Sequence, residues 1–285
     1  MSSARSGKGL EISGSKSQGA FQFGKNWANF LHVLNEEHIA EAEKCLKEML
    51  EIENLEGLSF LDIGSGSGLH SLAARKLGAK VYSFDYDAES VACALTLKDR
   101  YYPGDPDWII ERGSVLDKAY MERLGSFDVV YSWGVLHHTG AMWPALGYAS
   151  NPLKEGGKLF VAIYNDQGKK SRLWKLIKKG YNVLPSVLRK PYVLLFMVFF
   201  ETAYNIYKPH LFLKRCKDYK KQRGMSIWHD WVDWIGGYPF EVAKPEEIFD
   251  FYKNRGCVLT KLKTMGGSTG CNQFVFMKPV ENANK

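Results

Sequence analysis

The chain has 285 residues, 45% of them apolar, 24% charged and 14% aromatic, which suffices for one generous domain with a cap and excludes wholesale disorder. The net charge of +7 is unevenly spread: residues 165–235 hold 15 Lys and Arg against 5 Asp and Glu, so this segment is +10 and the remainder −3. Basicity confined to one segment points to a local anionic partner, such as a lipid headgroup, a phosphorylated substrate or a nucleic acid.

Residues 1–20 are rich in Ser, Gly and Lys, lack the apolar middle of a secretory signal, and are expected to form a flexible tail. The five cysteines (Cys45, Cys93, Cys216, Cys257, Cys271) are scattered, with no CxxC pair and no zinc-ligand spacing, so they read as reduced thiols of a cytoplasmic protein. The longest apolar run, Val193–Phe200, is eight residues, whereas a membrane span needs about 20. Peripheral contact with an anionic membrane stays open.

In chain order, Ile39, Ala42, Leu46, Met49 and Leu50 recur at helical spacing and predict an amphipathic helix over 36–54. Short β-rich runs then alternate with helical patterns. Strands are expected at Leu58–Ile63, Lys80–Asp85, Trp108–Glu111, Phe127–Trp133 and Lys158–Tyr164, and helices at Leu69–Leu77, Ala88–Arg100, Lys118–Leu124 and Met142–Leu153. Such alternation predicts a mostly parallel sheet covered on both faces. The rhythm breaks at 165–235, which reads as a helical insertion. There Arg172–Leu184 is predicted to bury Leu173, Leu176, Ile177, Gly180 and Tyr181 and to expose Lys175, Lys178 and Lys179. A helix at Pro245–Arg255 follows, then two strands, Cys257–Thr264 and Gln273–Lys278, joined by a glycine-rich turn as an antiparallel hairpin. The fold class is therefore α/β: a doubly wound, mostly parallel seven-stranded sheet with a helical cap insertion. Its expected parts are the tail 1–20, an α/β domain 21–164, the cap 165–240 and the completing segment 241–285.

The motif LDIGSGSG at 61–68 ends a buried strand in closely spaced glycines just before a helix, the place where open α/β sheets bind ligands. Its GxGxG spacing departs from the GxGxxG of dinucleotide folds. Asp62, inside the strand, would repel a pyrophosphate but suits a cationic ligand such as the methionine end of S-adenosylmethionine. Asp85 closes the next strand, 23 residues on, at the distance where an acid accepts ribose hydroxyls.

With these residues and FDVVYSWGVLHH at 127–138, the chain resembles the class I S-adenosylmethionine-dependent methyltransferases over 58–164 and 245–278, and in the last segment the small-molecule enzymes related to ubiquinone biosynthesis. The resemblance implies a Rossmann-like methyltransferase fold with S-adenosylmethionine as cofactor. It places Asp62, Gly64, Ser65, Gly66 and Gly68 around the methionine portion, Asp85 at the ribose and Tyr86 beside the adenine. The third strand is followed by Ser114 and Val115 where the family often has an acid, so the adenine amino group is met otherwise. Ser132 and Trp133 would line the cofactor at the end of the fourth strand.

His137 is the candidate general base, since histidine titrates near neutrality, although in-line placement of a nucleophilic acceptor needs no dedicated base. His138, Tyr164, Asn165, His229, Trp231 and an N-terminal Trp27, with Phe21, Phe23, Asn26 and Phe30, are candidate acceptor contacts or plain packing. No metal is expected: His229, Asp230 and Asp233 are weak as a ligand set. There is no Asn/Asp-Pro-Pro-aromatic motif after the fourth strand and no Pro-Cys, which disfavours the common nucleic-acid methylations. Three functions remain open: methyl transfer to a small molecule at oxygen, or else sulfur or nitrogen; methylation of RNA held by the basic insertion; and a non-catalytic cofactor-binding scaffold. The oligomeric state is not encoded in any readable pattern.

Overall fold

The computed structural model describes residues 31, 34–207 and 227–280. The expected tail at 1–20 and the aromatic N-terminal candidates, Trp27 among them, lie outside these.

Seven strands, β1 (Ser59–Ile63), β2 (Lys80–Asp85), β3 (Trp108–Arg112), β4 (Phe127–Trp133), β5 (Leu153–Tyr164), β6 (Val258–Lys263) and β7 (Cys271–Met277), form one sheet in the order β3-β2-β1-β4-β5-β7-β6. The first five pair in parallel, and β7 runs antiparallel between β5 and β6. Side chains alternate across the pleat, so neighbouring residues serve different cores. Phe60, Val129, Tyr131 and Phe160 pack under α1 (Glu36–Leu50), α2 (Leu69–Lys76) and α3 (Ala88–Tyr101). Leu61, Ile63, Val130 and Val161 pack under α4 (Lys118–Arg123), α5 (Met142–Ser150) and α9 (Pro245–Lys253). Two-sided burial is why these strands read as continuous apolar runs.

Three helices form the cap: α6 (Lys169–Val183), α7 (Ser186–Tyr207) and α8 (Ile227–Gly236). They share a small core of Ile177, Tyr181, Val193 and Ile235. Cap and domain are tied where the chain returns, because Glu241 Oε2 accepts from the Met142 amide at 3.0 Å and caps the start of α5, while the Glu241 amide donates to the His137 carbonyl at 3.0 Å.

The structure departs from the sequence expectations at four places. Helix α1 stops at Leu50, four residues short of Asn54, because Glu51 turns left-handed (φ 52°) and its amide returns to Lys47. Strand β5 starts at Leu153, not Lys158; a register shift opposite Phe127–Val129 absorbs the Gly156–Gly157 pair, which looks like a turn in sequence. The insertion contains a 22-residue helix, α7, whose uniformly apolar middle has no readable period and which carries Pro191 within it. Lastly, α6 is rotated from the predicted face. Leu173 and Leu176 are exposed (55% and 68%), while Lys178 is buried at 1%. The inner face is set by Trp174, stacked on Phe200 at 5.0 Å, and by Lys178, whose ammonium lies 4.4 Å from the Trp234 ring centre and donates to the Trp234 carbonyl.

Candidate active site

The glycine loop leaves β1 under backbone control. The Gly64 and Ser65 amides both donate to the Phe84 carbonyl of β2, at 2.9 and 3.1 Å, and the Gly68 amide closes on Ser65 at 2.8 Å. Gly64 has φ +76°, and a Cβ there would lie 2.4 Å from Val135 Cγ1, so the loop and the β4 end approach as only glycine allows. At Gly68, with φ +81°, an added Cβ would lie 3.0 Å from Ala94 Cβ of α3.

Two carboxylates hold this loop. Asp62 is 2% exposed and accepts from Ser71 Oγ at 2.6 Å; burial pushes its carboxyl up to about 7 against the pull of that hydrogen bond. Asp85 Oδ2 accepts from the Gly66 amide and Oδ1 from the Asp87 amide, both at 2.9 Å, which leaves each oxygen lone-pair capacity for a hydroxyl donor. Burial raises its carboxyl too.

Two further polar atoms are buried here without a hydrogen-bond partner: Ser65 Oγ and the hydroxyl of Tyr131, the β4 residue registered beside Asp62. Buried polar groups are rarely left unpaired, so a loop with two orphans and a desolvated carboxyl suits a polar, cationic ligand. The residues present therefore fit the methionine end of S-adenosylmethionine.

The remaining candidates for the cofactor divide. Tyr86 is 61% exposed with the Arg112 guanidinium 5.8 Å above its ring, an open aromatic face beside Asp85. Trp133 is 43% exposed at the end of β4. Ser132 is fully buried and donates to the Ile63 carbonyl at 3.0 Å, stapling β4 to β1. Val115 belongs to the core with Phe84 and Tyr120, and Ser114 Oγ accepts from the Leu116 amide, so both shape the turn after β3.

Of the residues predicted to meet the acceptor, the short turn Leu136–His138 and the end of β5 bring His137, His138 and Tyr164 together. His137 is fully buried, 3.9 Å from Tyr164 ring to ring, and its Nδ1 accepts from the Tyr164 amide at 3.4 Å while Nε2 has no partner. Burial drives its pKa well below the ordinary 6.5. His138 pairs with the Pro239 carbonyl at 2.7 Å and is pulled down to about 4, chiefly by burial.

Tyr164 is then covered by Trp234 (5.8 Å, edge-on) and Phe240 (5.3 Å). Between cap and sheet edge, Tyr164, Gln167, Trp174, Trp234 and Phe240 leave a space of only about 10 Å³, so these rings pack against one another as they stand. Sequence reasoning did not single out Trp174, Lys178 or Phe240 and had Trp234 only within a segment read as a packed cap helix or a pocket wall; the signal available was three indoles on 228–234 and Trp174 on the helix facing them. Trp231 is turned elsewhere, stacking on Phe200 and donating to Glu201 at 3.1 Å. Asn165 is engaged at both ends of its amide, with Ser268 and Asn272, and so anchors the β6–β7 turn to β5. His229 sits on α8, and its side chain is not among those described. Among the described residues no group of three or more His, Cys, Asp or Glu could hold a metal. A groove of about 830 Å³ between α1 and β6, lined by Glu41, Cys45, Glu48 and Lys263 among others, includes no residue of this site.

A parallel sheet in this strand order, with an antiparallel β7 and a glycine-carboxylate loop at the β1 edge, is the architecture expected of a Rossmann-like methyltransferase. Residues 61–161 match the family model described as "Methyltransferase domain". The chain is 32% identical over 116 residues to a ubiquinone biosynthesis O-methyltransferase from Caulobacter vibrioides (39% of this chain, 42% of the relative). It is also 32% identical over 126 residues to one from Paramagnetospirillum magneticum (44% and 47%). The matches thus span less than half of these curated relatives. The solved structure of magnesium protoporphyrin IX methyltransferase from Synechocystis PCC 6803 with bound SAH is similar in fold, with TM-score 0.53 at 12% identity over 89% of this chain and 94% of that one. Residues 61–161 are thus similar to a methyltransferase domain, and the chain has the fold of a solved methyltransferase with bound SAH.

Proposed function

We propose that the chain transfers a methyl group to an oxygen of a small-molecule acceptor that binds at the β4–β5 edge beneath the cap. The observation that carries this reading is the buried Nε2 of His137, which has no hydrogen-bond partner among the described residues and lies beside Tyr164 under Trp234 and Phe240: one polar atom among aromatic walls suits a compact, partly apolar molecule better than a polymer. Oxygen as the acceptor atom is supported by the curated relatives being O-methyltransferases.

S-adenosylmethionine, when bound, supplies a methyl group activated on a sulfonium. Asp62, Ser65 and Tyr131 would hold its polar end, Asp85 its ribose and Tyr86 its base. Trp133 and Tyr164 would keep water from the line of transfer, where exclusion of solvent and fixed approach do most of the catalysis. With Nδ1 of His137 accepting from the Tyr164 amide, the neutral ring carries its proton on Nε2. His137 therefore serves the acceptor as a hydrogen-bond donor that orients its oxygen, and the acceptor's own proton leaves to solvent.

The test uses methyl-labelled S-adenosylmethionine with a mixture of hydroxylated small molecules and, separately, total RNA. Label is expected in the small-molecule fraction for the wild type and in neither fraction for Asp62→Ala. Label confined to RNA, or cofactor binding without any transfer, would replace this reading by the RNA or the scaffold alternative.

A further inference from the structure

We propose that the outer face of the cap, made by α6 and α7, docks on the surface of an anionic lipid bilayer. Of the nineteen large apolar side chains exposed among the described residues, nine lie on these two helices, including Leu176 (68%), Val187 (76%), Leu195 (65%) and Phe199 (65%). They are not scattered. On α7, Val187, Leu194, Leu195 and Val198 follow the spacing i, i+7, i+8, i+11, one continuous stripe along a helix whose opposite face, with Tyr192, Val193, Phe196 and Phe200, already packs within the cap. Among the described residues nothing covers the second apolar face of this helix, which makes it a candidate docking surface.

Charge selects that partner. Lys169, Lys170, Arg172, Lys175, Lys179 and Lys190 are all exposed on the same two helices. Between 165 and 207 the only acids are Asp166 and Glu201, and Glu201 is buried with Trp231. A second copy of the chain would set one lysine-rich face against another across a two-fold axis, like charge against like. RNA would meet the lysines, but it stacks on aromatic rings, and the protruding residues are aliphatic except Phe199.

An anionic bilayer satisfies both features, with leucine and valine entering the headgroup boundary and lysine ammoniums reaching the phosphates. At about 1.5 Å per residue, the 22 residues of α7 would lie for roughly 33 Å along that boundary. No described helix is long and apolar enough to cross a membrane, which makes this a surface contact. The face lies directly behind the aromatic cover over Tyr164, since Trp174 on α6 touches Trp234, which touches Tyr164. The docking stands independently of which molecule is methylated.

The experiment is flotation of the full chain with phosphatidylcholine vesicles, with and without phosphatidylglycerol, at low and high salt. The wild type is expected to float with phosphatidylglycerol and to release as salt rises. Two variants, Leu176→Ser/Leu195→Ser/Phe199→Ser and Lys175→Glu/Lys179→Glu, are each expected to lose partitioning on the order of tenfold or more. All five substituted residues are exposed, so unchanged thermal unfolding and unchanged S-adenosylmethionine binding check that the fold is intact. Absence of wild-type flotation, equal flotation of either variant, or salt-insensitive binding to phosphatidylcholine alone would overturn the proposal. So would a concentration-dependent dimer abolished by the triple substitution.

Discussion

Replacing Gly64 with alanine separates the two reasons the cofactor loop needs glycine. The first is conformational: at φ +76° an L side chain is strained by about 1–2 kcal/mol. Gly125 has nearly the same angle, +79°, and a Cβ added there would meet nothing within 4 Å, so Gly125→Ala reports the strain alone. The second is steric: the new methyl of Gly64→Ala would lie 2.4 and 2.7 Å from the two Cγ atoms of Val135, an overlap costing about 1–3 kcal/mol more. Urea unfolding should therefore place Gly64→Ala about 1–3 kcal/mol below Gly125→Ala, by a shift of midpoint at constant slope. Combining Gly64→Ala with Val135→Ala removes both clashing atoms, and a double-mutant cycle should return a favourable coupling of similar size. By calorimetry, S-adenosylmethionine should bind Gly64→Ala more weakly and Gly125→Ala as wild type. Equal destabilisation by the two glycine substitutions, or no coupling to Val135, would refute the claim that the β1 and β4 ends meet at this glycine.

Asp62 makes the cofactor site sensitive to pH. Its folded-state carboxyl, at about 7, lies above the ordinary 3.8, so the stability it contributes is complete below about pH 4 and is lost as pH rises through about 7. A bound cation favours the ionised form, so S-adenosylmethionine should bind more tightly and release a proton as pH passes from about 6 to about 8. Calorimetry in two buffers of different ionisation heat measures this; Asp62→Asn should flatten the dependence, and Ser71→Ala, by removing the 2.6 Å donor, should move its midpoint upward. A wild-type affinity independent of pH would contradict the burial of Asp62. The buried histidines act in the opposite sense. With His138 lowered to about 4 and His137 well below 6.5, both are neutral in the fold, and their contribution is present above about pH 6.5 and lost as pH falls towards about 4. Urea midpoints should drop over that interval, and the variant His137→Gln/His138→Gln should reduce the slope; a flat wild-type profile would show that these rings reach solvent.

The sheet was legible because its signals are local. Five parallel strands are each a short apolar run, and Asp62, the glycines and Asp85 stand at strand ends, where fold class and ligand edge follow from pattern. The boundaries failed where a local pattern has two meanings: Gly156–Gly157 reads as a turn, yet a register shift keeps both inside β5. Ser132 and Val115, singled out by their places in the motif, hold the strands and turns that shape the loop, through the Ile63 carbonyl and the core respectively. Pattern marks an edge of the sheet without resolving which neighbour turns inward.

The cluster under the cap was illegible for a different reason. It is assembled from 137–138, 164–167, 174–178 and 234–240, four segments joined only by folding. Helical periodicity assumes that apolar residues face in and charged ones out. In α6 that assumption fails twice, because the Lys178 ammonium finds the Trp234 carbonyl and the ring faces of Trp234 and Phe240 inside, while Leu173 and Leu176 are displaced outward. An indole is larger than leucine, and three aromatic rings with one cation fill the inner volume more completely than leucines would. The rotation that brings Trp174 and Lys178 inward therefore also exposes the leucines behind them, so the aromatic cover over Tyr164 and the outward apolar face are two sides of one packing decision.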